Sequence, residues 1–369
     1  MIMRKQELLK VLAWVGVAWI GTAGVNAKAG QGPIPGSRFL SARAAAMGDA
    51  ILPLGEDGAT ALFVNPIATQ RAKKFQAEPL NLSLQTDTGF VSGLGIDSYK
   101  VYSLSSNLAN IQANPNVVQG AGFAIAPSIV YNGIAVGFLA QSRQYASVDS
   151  ANQVTYRSSY LLVPAAAYSV RLANGVIRFG YGLQWVNKAE GEVTVASASA
   201  TGYNNSIASG GGLSHTAAFA FTLPIAYLPA FNLVARNAFS TNYSMPSILP
   251  VANGSTGSPS TEYTTYDASV SLSPKLGGGV NAQLVGVYKD ASNRSDVPVM
   301  GRIALGAELG VKDFLFLRGG YGSGYPSFGL ALRLKTGELG VAWYSEELTN
   351  QYRGKQDVRY MMQFQARSF

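Results

Sequence analysis

Along most of this chain, apolar residues fall on every second position. Between 177 and 185, Ile177, Phe179, Tyr181, Leu183 and Trp185 alternate with Arg178, Gly180, Gly182 and Gln184. In 298–310, Val299, Gly301, Ile303, Leu305, Ala307 and Leu309 alternate with Met300, Arg302, Ala304, Gly306 and Glu308. Phe328, Leu330, Leu332 and Leu334 alternate in the same way with Gly329, Ala331, Arg333 and Lys335. A period of two puts alternate side chains on opposite faces of a strand. Alternation and turn signals predict roughly fourteen strands. They lie near 79–88, 119–130, 134–148, 154–171, 176–194, 211–222, 231–240, 263–273, 279–290, 298–310, 313–321, 326–335, 338–346 and 356–368. One face of each is large and apolar, the other small or polar. A soluble sandwich buries the large face, whereas a membrane barrel turns it to lipid and keeps the polar face in its lumen.

The connectors favour the barrel. Tyr131-Asn132-Gly133, Leu172-Ala173-Asn174-Gly175, Val311-Lys312 and Lys335-Thr336-Gly337 read as tight turns, where Asn and Gly accept positive φ. The stretches 89–118, 195–210, 241–262 and 347–355 are long. Short periplasmic turns alternating with long external loops are what a barrel requires, together with an even strand count.

Composition agrees. Only 13% of the residues are charged, half the ordinary quarter, and Gly (41) and Tyr (19) are abundant. The first 27 residues read as an export signal. Arg4, Lys5 and Lys10 precede the apolar run 11–20, and Val25-Asn26-Ala27 resembles a cleavage site. An anchor helix is the alternative, although the run falls short of the ~20 residues a span needs. With no Cys there are no disulfides, and the +8 charge is spread rather than clustered, so nucleic acid is not an expected partner.

Two segments break the alternation. Residues 28–75 carry helical stretches near 41–47 and 57–62, and 98–113 places Val101, Leu104 and Leu108 at helical spacing in the first long loop. That loop stripe fits a landing groove for apolar cargo or a protein partner, or simple packing on the barrel mouth. The lumen of a fourteen-stranded barrel is wide and needs filling or a use. The expected organisation is a signal peptide at 1–27, an N-terminal plug or hatch at 28–75 and a transmembrane barrel at 76–369 in the outer membrane of a Gram-negative cell.

The plug segment reads Ser41-Ala42-Arg43-Ala44-Ala45-Ala46-Met47-Gly48-Asp49-Ala50, then Gly58-Ala59-Thr60-Ala61-Leu62-Phe63-Val64-Asn65-Pro66-Ile67. It resembles the N-terminal region of the FadL long-chain fatty-acid transporter superfamily, where a pattern like A-R-A-x-x-M-G-x-A is followed by A-T-x-x-x-x-N-P-A. Here Ile67 stands where that family usually has Ala. The opening is also similar to PorV-type barrels, which serve the type IX secretion system. The resemblance implies a 14-stranded antiparallel outer-membrane β-barrel with an N-terminal helical hatch in its lumen. It implies either passive uptake of hydrophobic small molecules such as fatty acids, or a scaffold that docks partner proteins at its outer loops.

Candidate residues follow. Arg178, Arg302, Arg318 and Arg333, with Arg359, share the face turned away from lipid, where an Arg avoids a cost of about 2–4 kcal/mol near midplane. They could hold the anionic head group of a lipid-like cargo, or form an ion network with Glu308 or with Asp49, Glu56 and Asp57. Pro66 should end the helix before it, so Asn65-Pro66, with Asp57, is a hatch pivot or simply a helix stop. Pro127 and Pro164 each remove a ladder donor beside predicted strand 134–148. By the FadL resemblance a gap there is a lateral exit to membrane lipid; otherwise each is a bulge. His215, the single His, follows Ser214 on a strand, so the two face opposite ways and form no nucleophile–base pair. No metal, cofactor or enzymatic activity is expected.

Overall fold

The computed structural model describes residues 37–55, 57–71, 75–88, 118–148, 153–196, 207–249 and 255–368. The expected signal peptide, the loop stripe Val101, Leu104 and Leu108, and Glu56 lie outside the described residues.

The strands are β1 (Gln76–Asp87), β2 (Val118–Ile125), β3 (Ser128–Tyr131), β4 (Ile134–Val148), β5 (Gln153–Leu172), β6 (Ile177–Ala196), β7 (Ile207–Thr222) and β8 (Ala230–Ala238). They continue as β9 (Thr265–Leu272), β10 (Lys275–Gly277), β11 (Val280–Tyr288), β12 (Ile303–Val311), β13 (Leu315–Gly322), β14 (Tyr325–Leu334), β15 (Gly337–Glu347) and β16 (Gln356–Ser368). Each pairs antiparallel with its neighbour, and β16 returns to β1 to close the wall. Two staves are built from two pieces. Both β2 and β3 lie between β1 and β4, and both β9 and β10 pair with β11. The closed wall therefore has fourteen staves, one for each predicted strand. Closure removes the free sheet edges that a span through lipid cannot tolerate.

The faces sort as the alternation predicts. Phe179, Leu183 and Trp185 are 45%, 40% and 36% exposed, whereas Gln184 between them is 1% exposed. On β16, Tyr360, Met362 and Phe364 are exposed while Met361, Gln363 and Gln365 are buried. Aromatic residues pair across strands on the outside, Phe328 with Trp343 at 5.7 Å and Phe179 with Phe219 at 5.2 Å between ring centroids. At the tight-turn end Tyr131, Tyr168, Tyr227 and Phe314 are exposed, in the manner of an interfacial girdle. Among the described residues no helix is long and apolar enough to cross a membrane. The apolar exterior and closed antiparallel wall define an outer-membrane β-barrel, with its tight turns on the periplasmic side.

One predicted strand starts late. Pro298 opens a helical turn at Val299–Arg302, and the strand begins only at Ile303. Pro298 sits just before the turn as its N-cap residue and has no N–H to give a strand ladder, which the alternating letters of 298–302 conceal.

Residues 37–71 lie inside the barrel. Ser41 caps α1 (Ala42–Ala46) by accepting from the Ala44 N–H at 3.1 Å. Asp57 caps α2 (Gly58–Phe63), accepting from the Thr60 N–H at 2.6 Å. A 3-10 turn (Pro66–Arg71) follows. Apolar residues of this segment meet small residues of the wall. Phe39, Leu62 and Phe63 pack with Ala124, Ala126, Ala135 and Val163. Met47, Leu52, Leu54 and Ile67 pack with Ala218, Ala220, Val285 and Ala304. The backbones approach closely at β13, where a Cβ on Gly320 would overlap the Met47 backbone and one on Gly322 would overlap the Gly48 carbonyl. Small inward residues thus reserve the space the segment fills.

The gap expected beside 134–148 is not there. Along β4 every residue is in register with β5, from Ile134 opposite Tyr168 to Val148 opposite Val154. On the other side, Ile125 opposite Ala140 and Ser128 opposite Gly137 keep one register across Ala126-Pro127. Phe138 donates its N–H to the Pro127 carbonyl at 3.3 Å, and Ala126 donates to the Asn81 carbonyl at 2.9 Å. The extra residue is on β1, where 79–81 are set against 126–127, so Pro127 lies opposite a bulge in the neighbouring strand. Pro79 is part of that irregularity. Pro164 sits opposite Phe138, and its other edge faces a break in the β5–β6 ladder that the Asn187 amide bridges by donating to the Leu162 carbonyl at 3.2 Å. The missing proline donors are absorbed locally, and the wall stays shut.

Candidate functional site

Above residues 37–71, on the side of the long loops, the lumen holds a chamber of about 540 Å³. That volume lies within the ~300–1,000 Å³ typical of small-molecule sites. Its half-buried apolar lining includes Leu40 of the N-terminal segment and Leu161 of β5. Most of its remaining lining is amide, hydroxyl or charged, because strands that show apolar residues to lipid must show polar ones inward.

The segment beneath is fastened from the outer side by two ion pairs. Arg38 pairs with Glu262 of the 239–264 loop. The Arg38 guanidinium also donates to Gln184 at 2.7 Å, Asn237 at 2.9 Å and Ser214 at 3.1 Å. Glu262 in turn accepts from the Tyr243 hydroxyl at 2.6 Å and lies 3.4 Å from Lys188. Burial alone would raise the Glu262 carboxyl, but the Arg38 and Lys188 cations and the Tyr243 hydrogen bond hold it down at about 2. Burial and the neighbouring Glu262 carboxylate push the Tyr243 phenol well above its ordinary range. The second pair joins Asp49, just after α1, to Lys289 at 2.6 Å.

On the periplasmic side the segment enters a buried charge ladder. Arg43 of α1 meets Glu308 at 2.6 Å, Glu308 meets Arg318 at 2.7 Å, and Arg318 meets Glu338 at 3.0 Å. Glu338 also pairs with Arg333 at 2.9 Å, and Arg367 links it to Glu78. Strand register sets this order: Glu308 lies opposite Arg318, and Arg333 opposite Glu338.

The four arginines expected to share a head-group site do not converge. Arg318 and Arg333 are held in the ladder just described. Arg302 donates to the Asp290 carbonyl at 2.9 Å, with its guanidinium 5.1 Å from the Tyr288 ring centroid. Arg178 lies at the periplasmic end, donating to Thr222 at 2.6 Å and to the Gly175 carbonyl at 3.2 Å. None of the four lines the chamber. Arg302 precedes its strand, and for the other three a shared face extends the full height of a strand and fixes no common depth.

Asn65 donates from its side chain to the Leu52 carbonyl at 2.8 Å and accepts from the Ile67 N–H at 3.1 Å, tying two turns of the segment together. Pro66 opens the 3-10 turn, as a helix stop would. Asp57 is occupied as a cap, and the Gly58 N–H beside it donates to Glu78 at 3.1 Å. Ser214 points inward and is fully buried, whereas His215 points outward and meets the Tyr181 hydroxyl at 2.5 Å. Sequence reasoning missed Arg38, Lys188, Tyr243 and Glu262. Lys188 had a parity signal, but Glu262 sits in a long loop with no periodicity to place it.

No protein-family model matches the chain, and no curated protein matches it in sequence. Among solved structures it is similar to the CymD monoaromatic hydrocarbon channel, at 11% identity over 90% of this chain and 98% of that one, with a TM-score of 0.49. It is similar to the Pseudomonas putida toluene transporter TodX at 9% identity over 89% and 97%, with a TM-score of 0.42. CdiB from Escherichia coli matches at 11% identity over 78% and 63%, with a TM-score of 0.41. Likenesses at this level bear on neither cargo nor mechanism; the fold is read from the strand pairing. The chain is an outer-membrane β-barrel. Its fourteen-stave closed wall has the architecture that the FadL resemblance implies.

Proposed function

We propose that this barrel is a passive conduit for small, largely apolar molecules, and that residues 37–71 are its hatch. Cargo enters between the outer loops, collects in the chamber, and passes inward when the hatch yields. The observation that carries this reading is how the segment is held. Its outer side is fastened by two ion pairs, Arg38–Glu262 and Asp49–Lys289, at the boundary of a chamber of small-molecule size. Leu40 of the segment and Leu161 of the wall offer apolar surface on the chamber lining. The closed wall beside β4 directs this reading toward passage through the lumen.

The test is uptake of a radiolabelled alkylbenzene by whole cells that carry the protein in place of their own hydrophobic-uptake barrels. Uptake above the empty-vector level, at a rate that rises when Glu262→Gln loosens the hatch, is expected. Uptake equal to the vector control for both proteins would end the proposal.

A scaffold reading, in which the lumen stays shut and the outer loops dock a protein, is favoured by one observation. Wall glycines Gly320 and Gly322 are fitted to the backbone of Met47 and Gly48, as for a resident segment. That reading expects the Glu262→Gln protein to leave uptake unchanged.

A further inference from the structure

A charge census of the chamber singles out one residue. Of the cations on its lining, Arg38 pairs with Glu262, Lys188 with Glu190, Arg236 with Asp267, Lys289 with Asp49, and Arg359 with Asp357 and Glu346. Among the described residues, Arg143 of β4 is the lining cation with no carboxylate within ion-pair distance. It points inward by parity, is half-buried, and borders both the chamber and a side recess lined by Gln85, Asp87, Gly120, Tyr145 and Arg359. Asp87 in that recess makes no ion pair with it. The group set against it is the Gln141 amide, which offers its oxygen at 3.2 and 3.3 Å when oriented to accept. A neutral amide gives the guanidinium hydrogen bonds but no paired carboxylate. The other cations lining the chamber each meet at least one carboxylate, so Arg143 is the one on this lining placed to take a carboxylate from outside the protein.

We infer that Arg143 is the anchor for the carboxylate of a compact organic anion held in the chamber. The ligand class follows from the surroundings. The planar guanidinium suits a bidentate carboxylate. Leu161, one same-face step along β5 from Ser159, the residue opposite Arg143, gives an apolar body something to rest on. The amide and hydroxyl lining suits a small polar solute better than a long alkyl chain, which would have to lie across it. This inference rests on the conduit reading and deepens it by naming the charge of the preferred cargo.

The experiment measures binding to the intact, detergent-solubilised protein by calorimetry, with benzoate and its neutral counterpart benzyl alcohol as probes. Benzoate should bind more tightly than benzyl alcohol. Arg143→Gln should weaken benzoate by about tenfold or more while leaving benzyl alcohol nearly unchanged. Arg143→Lys, which keeps the charge and loses the fork, should recover part of the benzoate affinity and also guards against a folding artefact. Equal binding of the two probes, no binding of benzoate, or no loss in Arg143→Gln would each overturn the inference. Alkylbenzene uptake by cells is read separately. If uptake persists while benzoate selectivity is absent, the conduit reading stands and the anion site falls; if uptake is absent, the conduit reading itself has failed.

Discussion

Arg38 and Glu262 lie 224 positions apart in sequence, yet they form an ion pair that joins the N-terminal segment to an outer loop. Because the Glu262 carboxyl sits at about 2, against an ordinary 4.5, its contribution has a definite sign. It is fully present above about pH 4.5 and is lost progressively as the pH falls toward 2. The Glu262 side chain is 24% exposed, so solvent screens part of it. A thiol probe on the single-Cys variant Ser37→Cys should react faster as the pH falls through that window, after correction for thiol ionisation with a model peptide. In the Glu262→Gln background the reaction should be fast at neutral pH and lack the acid transition.

Gly320 should be intolerant of any side chain, for a reason that lies in Met47 rather than in its own strand. Gly320→Val should unseat α1 through overpacking of about 1–3 kcal/mol while the wall remains closed. Limited proteolysis should then cut near residues 40–50, with the heat-modified gel shift of the barrel unchanged. Loss of both together would place the role of Gly320 in the wall.

Glu338 carries three cations, Arg318, Arg333 and Arg367. Removing its charge by Glu338→Gln leaves Arg318, 2% exposed at its side chain, with Glu308 as its remaining partner. Breaking a buried pair from one side typically costs about 3–5 kcal/mol, and shared partners here should keep the loss at the lower end. Urea unfolding in lipid vesicles, followed by tryptophan fluorescence, measures it. An unchanged midpoint would mean the ladder is dispensable.

The outward face is tested at Leu183. Leu183→Lys should destabilise the folded barrel by about 2–4 kcal/mol if the side chain lies near the bilayer midplane, and Leu183→Ile should be nearly neutral. The same urea experiment reads both.

The wall was legible in the sequence because a two-residue period is a local signal, and lipid on one side enforces it at every stave. Phe179, Leu183 and Trp185 took the outer face for that reason. The helices of the segment fall at the expected stretches near 41–47 and 57–62, and the structure adds their caps, Ser41 and Asp57, which accept where a helix start needs an acceptor. The site was not legible. Arg178, Arg318 and Arg333 share parity but not depth, and depth depends on strand register around a closed wall. Pro127 looked like an opening in one dimension; in three, the neighbouring Pro79 and Asn81 take up the irregularity. Glu262 gained its role only when a loop folded back onto Arg38.

The hatch itself is most directly tested by pinning it. Residue 42 of α1 and residue 340 of β15 face each other such that a Cβ at Gly340 would lie 3.4 Å from the Ala42 Cβ, close to the ~3.5–4.5 Å of a disulfide. The chain has no Cys of its own, so Ala42→Cys with Gly340→Cys forms a single defined bond. Alkylbenzene uptake should stop when that bond is oxidised and return when it is reduced. Equal uptake in the two states would contradict a moving hatch.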